Sequence, residues 1–154
     1  MIDTPQIVDA PLQRTAAIRL NIARAEIQNA MGSGIQEVIA TAHAQGVGPA
    51  GPWFTHHFRL DPTMFDFEIC VPVIRPVTPT GRVVAAELPG GRVVRTIYRG
   101  DYAGLPEAWK EFNAWIAANG LQVGPDIVEV YLSGPESSAD AATWQTELNR
   151  PLVG

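Results

Sequence analysis

The chain has 154 residues, enough for one domain with a core of its own, because a domain of this length buries well over half of the surface its unfolded chain exposes. Its formal net charge is −5, Lys110 is its sole lysine and no basic face is concentrated in it, so nucleic acid is not expected as its main partner and no direct DNA binding is predicted. The single cysteine, Cys70, excludes an internal disulfide framework, and no apolar run approaches the roughly 20 residues that cross a bilayer. With no basic and apolar leader in MIDTPQIVDAP, the expected location is cytoplasmic, with no membrane association.

The first predicted element is a strand over Gln13–Ile22, QRTAAIRLNI, which is β-tolerant and partly alternating. In GSGIQEVIATAHAQG, Ile35, Val38, Ile39 and Ala42 recur at helical spacing behind Ser33 and Gln36, which have capping-box spacing, and Gly46 is placed to end the helix. GPWFTHHFRLDP and MFDFEICVPV are then read as two strands, the second alternating Phe65, Phe67 and Ile69 with Asp66, Glu68 and Cys70.

RPVTPTG, residues 75–81, has two prolines and a glycine and reads as a linker. RVVAAEL and RVVRTIY flank Pro89-Gly90-Gly91, a turn signal that predicts a hairpin. In LPEAWKEFNAWIAANG, Pro106 suits a first helical turn, and Leu105, Ala108, Trp109, Phe112 and Ile116 form an apolar stripe that ends before Gly120. GPDIVEVYLSGP, a Ser/Ala/Asp-rich loop at 136–142, and WQTELNRPL complete the chain.

Both halves therefore read strand, helix, strand, strand. GPWFTHHFRLDP and GPDIVEVYLSGP match proline to proline without a gap, and Glu68 and Pro72 have the spacing of Glu147 and Pro151. The expected fold class is α+β: duplicated strand-helix-strand-strand units forming an antiparallel sheet, two main helices on one face, and a ligand cleft between the repeats. The expected organisation is a single domain over residues 1–154, with repeat one over about 5–74, the linker over about 75–81 and repeat two over about 82–154.

Alternation along DIVEVYLSGP gives Val128, Val130 and Leu132 one face and Ile127, Glu129 and Tyr131 the other. The aliphatic face is expected beneath the helices, which leaves Glu129 and Tyr131 on the opposite face, lining the cleft. The ungapped alignment makes His56 and Phe58 their equivalents, with Phe54 opposite Ile127, although Thr55, His57 and Arg59 would then form an oddly polar helix-facing set, which a bulge would swap to the other face. The plain alternative for Glu129 is a solvated position on a half-exposed strand. In a dry cleft, burial would raise its pKa and a cationic ligand would relieve the cost, with aromatic rings stacking on the ligand.

The Gly-x-Tyr and helix run in YRGDYAGLPEAWKEFNAWIAANG, the Glu-x-Tyr and Gly-Pro of DIVEVYLSGP, and TELNRPL together resemble the GyrI-like small-molecule-binding domain, met also as the effector-binding domain of AraC- and MerR-type multidrug regulators. The resemblance implies two repeats around a cleft and a strand glutamate that meets cationic drugs, for which Glu129 is the matching position. Members often carry a tryptophan just before that glutamate, where this chain has Val128. The first repeat starts within about a dozen residues of Met1, so a stand-alone member without a helix-turn-helix domain is expected.

Three functions follow as expectations. The first is a small-molecule-binding protein for cationic, aromatic or apolar ligands, held by Glu129, Tyr131, His56, Phe58 and Phe54. The second, implied by the resemblance, is a hydrolase opening strained cyclopropane-type rings, with Glu129 as general base and Tyr131 as its catalytic partner. The third is a protein-interaction module such as a gyrase inhibitor. No cofactor and no metal are expected: His56 and His57 are adjacent and point to opposite faces of a strand, and His43 lies on a helix. Trp109, Phe112, Trp115 and Ile116 are read as core before ligand box, because helical spacing alone explains them, with a place for some of them at the rim of the cleft from below as the alternative.

Overall fold

A computed structural model describes residues 2–153, with the side chain of Leu60 left aside. Its named elements are β1 (Gln6–Ala10), β2 (Gln13–Ala23), α1 (Ile27–Ala44), β3 (Phe54–Leu60), β4 (Met64–Pro72), β5 (Val84–Leu88), β6 (Gly91–Arg99), α2 (Leu105–Ala118), β7 (Ile127–Ser133) and β8 (Gln145–Pro151). A single 3-10 turn precedes each helix, over Arg24–Glu26 and Tyr102–Gly104, and a third, Ala141–Thr143, leads into β8. The architecture is α+β, and every pairing between the strands described below is antiparallel.

The contacts divide the chain into two compact units. One is Pro11–Gly90, and the other joins the N-terminal segment through Ala10 to the chain from Gly91 onward. In the first, β4 pairs with both β3 and β2, and β5 pairs with the far side of β2. In the second, β8 pairs with both β7 and β6, and β1 pairs with the far side of β6. The two patterns are the same, element for element, which is the duplicated strand-helix-strand-strand arrangement expected from the sequence.

The hairpin expected across Pro89-Gly90-Gly91 does not form. β5 pairs with β2 and β6 lies between β1 and β8, so the turn separates the two units instead of closing a hairpin. A Pro-Gly-Gly signal sets a change of direction but not which strands pair afterwards; here each short outer strand is recruited to the unit whose first long strand has an open edge.

α1 starts six residues before Ser33, so the capping-box reading of Ser33 fails. That residue lies inside the helix, its hydroxyl donating back to Asn29 O at 3.4 Å. The preceding Ile27-Gln28-Asn29-Ala30-Met31 continues the helix because Ile27 and Met31 extend the apolar stripe, packing against the core of their unit. The end is as predicted, with Gly46 at φ 67° just beyond the helix. Residues 75–81 form no helix or named strand, and Gln45 ties them down, its amide accepting from Thr78 N and donating to Thr78 O.

Each unit has its own core beneath its helix. In the first, Val38 and Ala42 of α1 lie on Ala16 and Ile18 of β2 and Phe67, Ile69 and Val71 of β4. In the second, Ala108, Phe112 and Ile116 of α2 lie on Val94 and Tyr98 of β6 and Leu148 of β8. Phe67 and Phe112 are wholly buried, and a side chain of that size contributes about 1.5–3 kcal/mol on burial. Arg150, also beneath α2, donates to Asn113 Oδ1 at 2.8 Å and to Gly124 O at 2.7 Å, pinning the helix and the loop after it to β8.

Candidate functional site

Glu129 and Tyr131 share one face of β7, as alternation requires, but it is not the face expected. Directly paired residues of an antiparallel ladder point the same way, and Glu129 pairs with Leu148, which lies in the core beneath α2. Glu129 therefore faces the helix. The aliphatic set has the composition of a core face, yet Val128 on the face away from the helix is itself only 3 % exposed. Where both faces of a strand are covered, hydrophobicity does not say which one the helix takes.

The carboxylate is partly buried and each of its oxygens accepts one protein hydrogen bond. Trp109, on α2, donates from its indole Nε1 to Oε2 at 2.6 Å, and Tyr131 donates from its hydroxyl to Oε1 at 2.7 Å. Burial raises the Glu129 pKa above the ordinary carboxylate value, while the bonds from Tyr131 and Trp109 pull it back.

Aromatic rings surround this pair. Tyr102, from the turn before α2, meets the Tyr131 ring edge-on with centroids 5.9 Å apart and meets Trp144 at 5.2 Å. Trp144, just before β8, is anchored by its indole N–H to Ser138 O at 2.9 Å. Trp109 packs on Phe112 with centroids 5.7 Å apart. Burial raises the Tyr102 pKa, and the negative charges of Glu136 and then Glu129 add to the effect. Trp109 and Tyr131 thus bond the carboxylate directly, and Tyr102 and Trp144 continue the aromatic cluster outward from Tyr131.

A model of the GyrI-like small molecule binding domain matches residues 3–152. The chain belongs to that family. The crystal structure of the EcmrR C-terminal domain superposes with a TM-score of 0.84 at 21% identity, covering 97% of this chain and 97% of that one. SAV2435, solved bound to tetraphenylphosphonium, has a TM-score of 0.66 at 11% identity, covering 99% of this chain and 95% of that one. A hydrolase from Listeria innocua has a TM-score of 0.64 at 17% identity, covering 97% and 91%. This GyrI-like chain spans 57% of the chain it matches in the structure of the EcmrR–DNA complex. At these identities the likeness is one of fold.

In this GyrI-like domain the other predicted site residues lie on β3, in the Pro11–Gly90 unit. His56 pairs in register with Glu68, on the face of the sheet away from α1. Phe58 sits at a bulge, its ring 4.4 Å from that of His56 and covered by the Arg19 guanidinium at 4.0 Å. Phe54 pairs with Cys70 and is 3 % exposed.

The alignment that made His56 and Phe58 equivalent to Glu129 and Tyr131 is off by one residue. Thr55 pairs with Ile69, one residue after Glu68, and Glu129 pairs with Leu148, one residue after Glu147. The counterparts of Glu129 and Tyr131 are thus Thr55 and His57, and each strand bulges immediately after, between His57 and Arg59 and between Tyr131 and Ser133. The matching prolines lie outside the paired residues, so their spacing was free to slip against the ladder. His57 is 8 % exposed and stacks on Phe67 at 5.0 Å, and burial, helped by His56 and Arg24, depresses its pKa to about 4.

Two residues of the site, Tyr102 and Trp144, carry no site signal of their own in the sequence, and a third, Trp109, reads first as core and only secondly as part of the cleft rim. Trp109 fits a helical core stripe, and its polar N–H, which needs a partner when buried, is the signal that favours the rim. Tyr102 belongs to the Gly-x-Tyr run, and Trp144 follows a loop with no periodic signal. Glu68 and Glu147 are both on faces turned away from their helices. Glu147 pairs with Arg95 at 3.2 Å and accepts from Asn149 Nδ2 at 3.0 Å, which gives it a structural role. Among the described residues no group of three His, Cys, Asp or Glu side chains forms a metal-ligand set, and no helix is long and apolar enough to cross a membrane.

Proposed function

We propose that this domain binds cationic ligands with aromatic or apolar substituents, with Glu129 supplying the charge and Trp109, Tyr131, Tyr102 and Trp144 the walls. The observation that carries this reading is the partly buried carboxylate held at 2.6 and 2.7 Å by an indole and a phenol. Both donors are neutral, so the negative charge is oriented but not cancelled, and a bound cation recovers what burial costs. At an effective dielectric near 20, a cation about 5 Å away gains up to ~3 kcal/mol, so Glu129→Gln weakens binding by about 10- to 100-fold. Tetraphenylphosphonium and a panel of cationic amphiphiles raise the melting temperature of the wild type and leave Glu129→Gln nearly unmoved. Equal shifts in both proteins would sink the reading.

The acidic net charge supports a domain that does not itself contact DNA, and the lone buried cysteine fits a reducing cytoplasm. Internal duplication of an ancestral unit is supported by the identical pairing pattern of the two halves.

A second reading uses the same pair for hydrolysis. It is favoured by the raised Glu129 pKa beside the Tyr131 hydroxyl, since a base titrating closer to neutrality removes a proton from water more effectively. Glu129 would take the proton of a water that opens a strained electrophilic ring, and Tyr131 would protonate the departing atom. Mass spectrometry of cyclopropane-type substrates decides it: a ring-opened product with the wild type and none with Glu129→Gln supports turnover, and the same product without protein rules it out.

A further inference from the structure

We propose that Tyr98, which lies beneath α2, is a positioning residue for the Glu129 site: its hydroxyl and ring set the loop that presents Tyr102. This rests on the cation-binding reading above and concerns the wall of that site.

Tyr98 is on β6, 6 % exposed and part of the α2 core. Its hydroxyl donates to Asp101 O at 2.8 Å, the carbonyl immediately before Tyr102. The loop closes around that hydroxyl because two of its residues have no side chain. A carbon added to Gly104 would fall on the Tyr98 hydroxyl, and one added to Gly100 would lie 2.7 Å from it. The loop is tied on its other side as well, Gly100 N donating to Trp144 O at 3.0 Å.

Tyr102 is seated at its far end by a third such contact. A side-chain carbon on Gly134, at the end of the Glu129 strand, would collide with the Tyr102 hydroxyl. The ring is thus fixed from below through Asp101 and at its tip by Gly134, with its faces and edge against Trp144 and Tyr131. On the sheet Thr146 of β8 stands between Tyr98 and Tyr131, while the Tyr98 hydroxyl bonds the loop that carries Tyr102, so its influence on a ligand is assigned to Tyr102. The bond it makes to the Asp101 carbonyl is an ordinary buried one, whose loss corresponds to roughly a two- to tenfold change in an equilibrium.

The test is a double-mutant cycle read by calorimetric titration with tetraphenylphosphonium, using wild type, Tyr98→Phe, Tyr102→Ala and the double variant. Tyr98→Phe is expected to weaken binding by about three- to tenfold in the wild-type background and to have no further effect once Tyr102 is alanine. Proton NMR gives a ligand-free readout: cross-relaxation between the Tyr102 and Tyr131 rings is expected to weaken in Tyr98→Phe, and Gly104→Ala to reproduce both effects. An equal loss in both backgrounds, or undisturbed ring contacts, overturns the proposal and makes Tyr98 merely part of the core. If the wild type binds as well as Glu129→Gln, or neither binds, the cation reading itself falls and this proposal with it.

Discussion

Replacing Trp109 with phenylalanine probes the charge on Glu129. The indole N–H donates to Oε2 at 2.6 Å, and a bond to an ionised acceptor contributes about 1.5–3 kcal/mol, against about 0.5–1.5 kcal/mol for a neutral pair. Because burial raises the Glu129 pKa, the folded chain binds that proton more tightly than the unfolded one. Ionised Glu129 therefore opposes folding above its raised pKa, and the opposition is gone below its ordinary value of 4.5. Deleting the indole bond moves the pKa further up, so Trp109→Phe destabilises the chain by about 1 kcal/mol more at neutral pH than at acid pH where the carboxyl is protonated. For a chain of this size that is roughly 2–4 °C in melting temperature. The loss of ring area and the titration of His57 are common to both conditions or both chains and cancel in the difference. Urea denaturation of the two proteins at neutral and acid pH measures it. A destabilisation independent of pH would refute the account of Glu129 as an ionised carboxylate held by the indole.

Cation affinity is expected to be constant above the raised Glu129 pKa and to fall as pH drops through it, which titration calorimetry across that range checks. His57 works the other way on stability. Its proton is bound at 6.5 in the unfolded chain and only near 4 in the folded one, so stability is lost as pH falls through that window, by about 3 kcal/mol at roughly 1.4 kcal/mol per pH unit. His57→Leu flattens the acid limb of the urea midpoint against pH, and an unchanged limb would exclude His57 as its cause. One cation is expected per chain, because the position equivalent to Glu129 holds Thr55, beside neutral His57, and Arg24 begins the turn where Tyr102 begins its own; a stoichiometry of two in native mass spectrometry would contradict this.

Much of the frame was legible from local pattern. Helical spacing from Leu105 to Ile116, alternation along Phe65–Cys70 and along Ile127–Tyr131, and the terminating Gly46 each express a preference that operates within a few residues. The adjacency of Glu129 and Tyr131 is of this kind, since period-two alternation fixes it wherever the strand goes. The start of α1 is hidden in the sequence because Ser33 imitates a cap, while the stripe through Ile27 and Met31 continues the helix ahead of it.

Sequence by itself therefore settled which side chains point together within an element: Glu129 with Tyr131, and Trp109 with Phe112. Only tertiary structure decided that the Glu129 face lies under α2, that the counterparts of Glu129 and Tyr131 are Thr55 and His57, and that the strands either side of Pro89-Gly90-Gly91 pair elsewhere. The reason is physical. Periodicity fixes directions relative to one backbone, whereas the choice of covering layer, the ladder register and the partner of a free edge depend on surfaces brought together from distant parts of the chain.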